Sequence, residues 1–148
     1  SASVGDDERV NDLSLVLDVR TASGLRVLVL GDVETWAQQR LARIAGTGLG
    51  GGVGSVGPGG VVPGGMVPGG VDLVVVAHHG SADQSGELYR RLRAPVGLIG
   101  VGADNDYGHP DPRTLRMLAG AGTRVWRSDL AGDVAVSRAD GRLSVGPP

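Results

Sequence analysis

Apolar and polar residues alternate from Leu13 to Val19, around Leu15 and Leu17. They then run almost unbroken from Leu25 to Leu30, with Ala22-Ser23-Gly24 in between. Alternation sets one face of a strand on a core, an unbroken apolar run marks a strand covered on both faces, and the small residues make a turn. The pattern therefore predicts a hairpin entering a buried sheet. Past Gly31-Asp32 the period lengthens: Trp36, Leu41 and Ile44 stand among Glu34, Gln38, Gln39, Arg40 and Arg43, the spacing of an amphipathic helix. Val71 to Ala77 is a fully apolar strand, Glu87 to Arg93 has helical spacing through Leu88 and Leu92, and Val96 to Val101 is a further apolar strand. A polar loop from Ala103 to Pro112 leads into a short helix, Pro112 to Ala119. The chain closes with strands around Thr123 to Arg127, Asp133 to Ser137 and Arg142 to Val145, separated by the turns Leu130-Ala131-Gly132 and Ala139-Asp140-Gly141. The order β-β-α-β-α-β-α-β-β-β predicts an α/β fold or mixed sandwich, a sheet with flanking helices.

One stretch breaks this rhythm. Residues 46–70 hold Gly, Pro and Val with no charge and end in the near repeats Val62-Pro63-Gly64-Gly65 and Val67-Pro68-Gly69-Gly70. So much Gly loses too much backbone entropy to fold, and the segment reads as a low-complexity surface insertion rather than a linker between domains. A phosphate-cradling loop would need Gly-Lys-Ser/Thr or GxGxxG between a strand and a helix, and neither occurs in that context.

Composition narrows the chemistry. The 148 residues make one domain or a large part of one; aromatics are only 3% with no Phe, so the core must be Val, Leu, Ile and Ala. A net charge of −2 excludes a broadly basic nucleic-acid binder, so any anion binding must be local. All 14 cationic residues are Arg. There is no Cys, which rules out disulfides and thiolate ligands and leaves metal binding to His and carboxylates. No apolar run approaches the roughly 20 residues that span a bilayer, and the N-terminus lacks signal-peptide features, so the chain as given is expected to be soluble.

Three polar clusters each follow an apolar strand, where a loop side chain is held rigidly: Gly31-Asp32, His78-His79-Gly80-Ser81 and Tyr107-Gly108-His109-Pro110. They contain every His of the chain. Asp32 is either the N-cap of the following helix or a carboxylate bridging metal ions. Two adjacent imidazoles at a strand end point to metal ligation or acid/base work, because burying both needs several hydrogen bonds. Gly80 permits close backbone approach, while Ser81 either donates to an oxyanion or caps the next helix. His109 stays open between a third imidazole, a general acid and a turn residue.

Taken together, Asn11-Asp12-Leu13-Ser14-Leu15-Val16-Leu17, Leu30-Gly31-Asp32-Val33-Glu34, His78-His79-Gly80-Ser81, Asn105-Asp106-Tyr107-Gly108-His109-Pro110, and Trp126-Arg127-Ser128-Asp129 with Gly132 resemble the ComEC family of DNA-uptake competence proteins. The resemblance covers nearly the whole chain outside the Gly/Pro insertion. It implies the C-terminal half of an αββα metallo-β-lactamase sandwich, in which two divalent ions, Mn or Zn, activate water against a phosphodiester. On that resemblance Asp32 is the bridging carboxylate, His79 a direct ligand, His78 an outer or acid/base group, and His109 a further ligand or the general acid. Asn11, Ser14, Ser81, Asn105, Tyr107, Arg127 and Asp129 order the site or contact phosphate. The implied partners are DNA, the preceding half of the domain and the channel region of a bacterial membrane protein carrying this domain outside the cytoplasm, with no small-molecule cofactor.

The chain departs from the family pattern at several points. Thr-Gly-Asp is here Leu30-Gly31-Asp32, the usual Lys and Pro before the histidines are Val75 and Ala77, and Arg-Thr-Asp is Arg127-Ser128-Asp129. None removes a ligand. The HxHxDH signature is absent, so the chain is expected to be inactive alone and to expose the face that the other half covers. Two further readings stand beside the nuclease: the same fold acting on lactones, thioesters or phosphorylcholine esters, and a non-catalytic module binding nucleic acid or protein through Arg90, Arg91, Arg93, Arg113 and Arg116.

Overall fold

The computed structural model describes residues 11, 13–46, 56–57, 60–61 and 70–148. Strands β1 (Leu17–Arg20) and β2 (Arg26–Val29) form the expected hairpin, and helix α1 (Thr35–Gly46) follows. Of the Gly/Pro/Val insertion, only the two-residue strands β3 (Val56–Gly57) and β4 (Gly60–Val61) are described, paired antiparallel; its reading as an inert loop otherwise lies outside the described residues. Strand β5 (Leu73–Val75) runs into a 3-10 turn at Ala77–Gly80, then come α2 (Gly86–Leu92), β6 (Val96–Ile99), α3 (Pro112–Gly120), β7 (Arg124–Arg127), the one-turn α4 (Ser128–Ala131), and a hairpin of β8 (Ala135–Ala139) and β9 (Arg142–Gly146). Among the described residues no helix is long and apolar enough to cross a membrane.

The central sheet has the order β1-β2-β5-β6-β7, with β1 antiparallel to β2 and the remaining neighbours parallel, so this is an α/β fold with a mixed five-stranded sheet. Register sets Leu28, Val74, Gly97 and Val125 side by side on one face. There Leu28, Val74 and Val76 pack with Leu41 and Ala42 of α1, Leu88, Tyr89 and Leu92 of α2, and Leu118 of α3. Gly97 admits Thr123 at that layer, since a Cβ would lie 2.9 Å from its Cγ2.

On the opposite face Leu17, Val29, Val75, Leu98 and Trp126 share one row and Val19 stands beside Val27. None of these belongs to the core cluster. Leu17 and Val19 are each 43% exposed, so this face is open at the β1 edge, whereas Leu73 and Val96 further along it are buried.

Helix α1 departs from the expected apolar stripe. Trp36 is 59% exposed with Arg40 lying over its ring, while Gln38 is fully buried beside Leu41 and Ala42. The reason is a polar network: Gln38 Nε2 donates to Val33 O at 2.8 Å, and Gln38 Oε1 accepts from Ser85 N at 2.8 Å. A buried amide with both ends bonded costs little, and it tethers α1 to the start of α2.

Candidate metal centre at the carboxyl ends of the parallel strands

The loops leaving β2, β5, β6 and β7 gather at one end of the sheet, where α/β folds hold ligands. After β2 the chain turns through Gly31 (φ 59°), and Gly31 O accepts from His78 N at 2.9 Å, joining the first two clusters. Asp32 is half-buried and lies three residues ahead of α1, so the N-cap reading does not hold. Asp83 has that role instead, accepting from both the main-chain N–H and the hydroxyl of Thr35.

His78 (φ 45°) and His79 (φ 51°) both adopt the left-handed conformation, which costs a non-glycine residue about 1–2 kcal/mol. Such strain persists only where the surroundings fix it. Here Ala77, immediately before the pair, is held at both main-chain groups: its N–H donates to Tyr89 Oη at 3.3 Å, and its carbonyl accepts from Gln84 Nε2 at 2.9 Å. Tyr89 Oη in turn donates to Gln84 Oε1 at 2.7 Å, and burial pushes its pKa far up, keeping it a neutral donor.

His79 Nδ1 lies 2.6 Å from Gly100 O. A carbonyl only accepts, so Nδ1 carries a proton, and in the neutral imidazole Nε2 presents its lone pair. That nitrogen stands 3.8 Å from Asp32 Oδ1. His78 Nδ1 is buried without a hydrogen bond among the described residues, 3.7 Å from Glu34 Oε1, and Glu34 Oε1 also accepts from Asn11 Nδ2 at 2.9 Å.

His109 completes the cluster, its ring centroid 5.7 Å from that of His78, which is itself 6.4 Å from that of His79. Partial burial lowers the His109 pKa, and the neighbouring His78 and His79 lower it further. Asn105 orders this loop, donating to Gly102 O and His109 O at 3.1 and 3.0 Å and accepting from His109 N at 3.1 Å. Tyr107 stacks on His109 at the rim.

Thus Asp32, His78, His79 and His109 are brought together, with Asn11, Asn105 and Tyr107 beside them. The others stand differently. Ser14 packs under the Gly31 turn, since a Cβ at Gly31 would lie 3.1 Å from Ser14 Cβ. Ser81 is buried, accepts from Gln84 Nε2 at 3.4 Å and offers its carbonyl to Thr114 Oγ1 at 2.6 Å, and it does not cap α2, whose N-cap is Ser85. Arg127 and Asp129 are paired with each other. Glu34, Gln84, Tyr89 and Ser128 had no role in the sequence reading. Only Glu34 carried a signal, as the carboxylate two residues after Asp32. Of the arginines proposed for a binding module, Arg91 is paired with Glu87 and Arg113 with Asp111.

For a metal ion the donor chemistry is right but incomplete. Two ligands of one ion, each about 2.0–2.2 Å from it, span the separation of His79 Nε2 and Asp32 Oδ1 at a wide angle. Among the described residues no three His, Asp or Glu side chains already form a cage for one ion.

Fold and site define an α/β protein with a histidine-carboxylate cluster at the carboxyl ends of its parallel strands. The chain is similar to ComE operon protein 3 of Bacillus subtilis (strain 168), 28% identical over 151 aligned positions that take in 100% of this chain and 17% of that protein. This similarity supports a relationship to the ComEC family; the chain spans about a sixth of its relative's length. No family model and no solved structure matches the chain.

Proposed function

We propose that the chain contributes part of a metal-dependent phosphodiesterase site acting on DNA during competence-linked uptake. The observation that carries this is the His79–Asp32 pair: Gly100 O fixes the tautomer that turns the free Nε2 of His79 toward Asp32 Oδ1, 3.8 Å away. A main-chain acceptor behind a histidine is the usual device for orienting a metal ligand. The similarity to a competence-operon protein supplies the setting.

In this reading Asp32 and His79 hold a divalent ion, Mn or Zn, and His109 swings in as a third donor. The remaining ligands come from the preceding part of a longer protein, which also closes the open sheet face as the other half of a metallo-β-lactamase sandwich. When bound, the ions supply Lewis acidity toward water and the phosphodiester. His78 serves as the acid/base group, with Glu34 facing its Nδ1 to favour the tautomer whose Nε2 is free. Neighbouring loop amides and Asn105 keep His109 in register with the pair. No small-molecule cofactor enters. In this reading the parent protein sits in the bacterial membrane with this domain outside the cytoplasm.

The test is calorimetric titration of Mn²⁺ and Zn²⁺ into this chain and into the Asp32→Ala, His79→Ala double variant. Binding by the parent that is lost in the double variant is expected. Equal binding by both would sink the ligand assignment.

A further inference from the structure

Beyond its carboxyl end β6 continues as Gly100-Val101-Gly102, and this strip floors an open cleft of about 340 Å³ walled by His79, Asn105, Tyr107 and His109. Nothing in the fold demands glycine here. Neither Gly100 nor Gly102 has a positive φ, and a Cβ added at either meets no atom within 4 Å. The strip is nevertheless fixed. Ser128 Oγ accepts from Val101 N and donates to Val101 O, both at 2.7 Å, while His79 and Asn105 occupy the carbonyls of Gly100 and Gly102. A rigid strip with no side chain at Gly100 or Gly102 leaves the space above those two residues empty.

An aromatic ring stands at the rim of that space. Tyr107 is 85% exposed, and among the described residues its ring neighbour is His109, at a centroid distance of 6.2 Å and 21° from parallel. A phenol so exposed and so oriented is a platform for another flat ring.

We propose that this cleft is a slot for one nucleobase of a single-stranded nucleic acid, stacked on Tyr107 above the Gly100–Gly102 strip with its phosphodiester toward His79 and His109. The inference rests on the phosphodiesterase reading and adds the strand form and the means of holding it. Stacking recognises every base because each has a π-face, and the carbonyls of the floor are already bonded, so the slot reads no sequence. A base paired inside a duplex cannot reach it.

The test is metal-free binding, in EDTA, of a short DNA strand carrying 2-aminopurine, whose fluorescence is quenched on stacking, with an abasic strand as competitor. The proteins are this chain and its Tyr107→Phe, Tyr107→Leu and Gly102→Leu variants, each with its melting temperature. The parent and Tyr107→Phe quench alike, whereas Tyr107→Leu and Gly102→Leu bind about fivefold to a hundredfold more weakly, the range of one lost base-aromatic stack. All four melt together, since neither site packs against the core. Equal binding of abasic and base-bearing strands, undiminished binding by Tyr107→Leu at unchanged melting temperature, or no binding by the folded parent overturns the slot. Base binding with no metal binding would instead strike the catalytic reading and leave the slot standing.

Discussion

Gly80 joins the histidine pair to the His109 loop, and replacing it with Ala gives a quantitative test of how tightly those loops are locked. Gly80 has φ 78°, and an added Cβ would lie 2.7 Å from Pro110 Cβ, 3.2 Å from Ile99 Cδ1 and 3.3 Å from Pro110 Cα. Pro110 is a ring closed onto the main chain, so it cannot rotate away and the backbone beside His109 must move. The left-handed conformation costs about 1–2 kcal/mol for Ala. Overpacking adds about 1–3 kcal/mol. The stiffer unfolded chain returns about 0.4–1 kcal/mol. The expected net loss is about 2–4 kcal/mol, or a fall in melting temperature of roughly 5–15 °C for a chain of this size. Gly24→Ala is the control: its φ is 82°, but nothing lies within 4 Å of the new Cβ, so it has the conformational cost without the clash. It should cost about 1 kcal/mol or less. Thermal and urea denaturation of both variants reads the difference directly. If Gly80→Ala and Gly24→Ala melt together, the close contact between the histidine turn and Pro110 is wrong, and with it the juxtaposition of His78 and His109.

Gln84→Ala removes the acceptor of Tyr89 Oη and the donor to Ala77 O, and is expected to cost about 1–3 kcal/mol; Gln84→Glu retains the acceptor alone and should fall between them in urea denaturation. Leu28→Ala, at the centre of the helix-covered face, should cost about 2–5 kcal/mol in the same assay. Arg127 holds the Asp129 carboxyl below the usual carboxylate range, chiefly through their hydrogen bonds. Because the folded-state pKa is depressed, this stabilisation is present above the unfolded pKa of Asp, about 3.9, and is lost as pH falls through the lower folded value. Asp129→Asn should therefore flatten the acid limb of a melting-temperature profile, and an unchanged limb would refute the pairing. Leu17→Lys with Val19→Lys should leave the melting temperature within a few degrees, because both side chains are 43% exposed at the edge of the sheet, and a larger fall would refute that exposure.

The hairpin, the helix after Asp32 and the βαβ succession were legible because each rests on a period set by backbone geometry, and the three polar clusters because they interrupt apolar strands. Trp36 misled for a definite reason. Apolar spacing assumes that the inner face is apolar, whereas here a fully satisfied Gln38 occupies it and leaves the indole outside. Ser81 misled similarly, as a hydroxyl after a histidine pair that serves packing between turns. The Gln84–Tyr89 brace was invisible, since the bonds that hold Ala77 join residues whose approach depends on how α2 lies against the sheet. The pair His79 and Asp32 could be named as donors from the sequence, but their separation and the tautomer set by Gly100 O belong to the folded chain.

The open face of the sheet has a consequence for control. On that face Val29, Val75, Leu98 and Trp126 stand last or next to last in β2, β5, β6 and β7, just before the loops of the candidate centre. A surface that grips β2, β5, β6 and β7 together sets their twist and spacing, and therefore the separations among Asp32, His79 and His109, without touching any of them. On the proposed function, covering this face would act on the chemistry through the strand ends that carry the loops, so that a substitution silent in the lone chain is felt at the histidines of the assembled one.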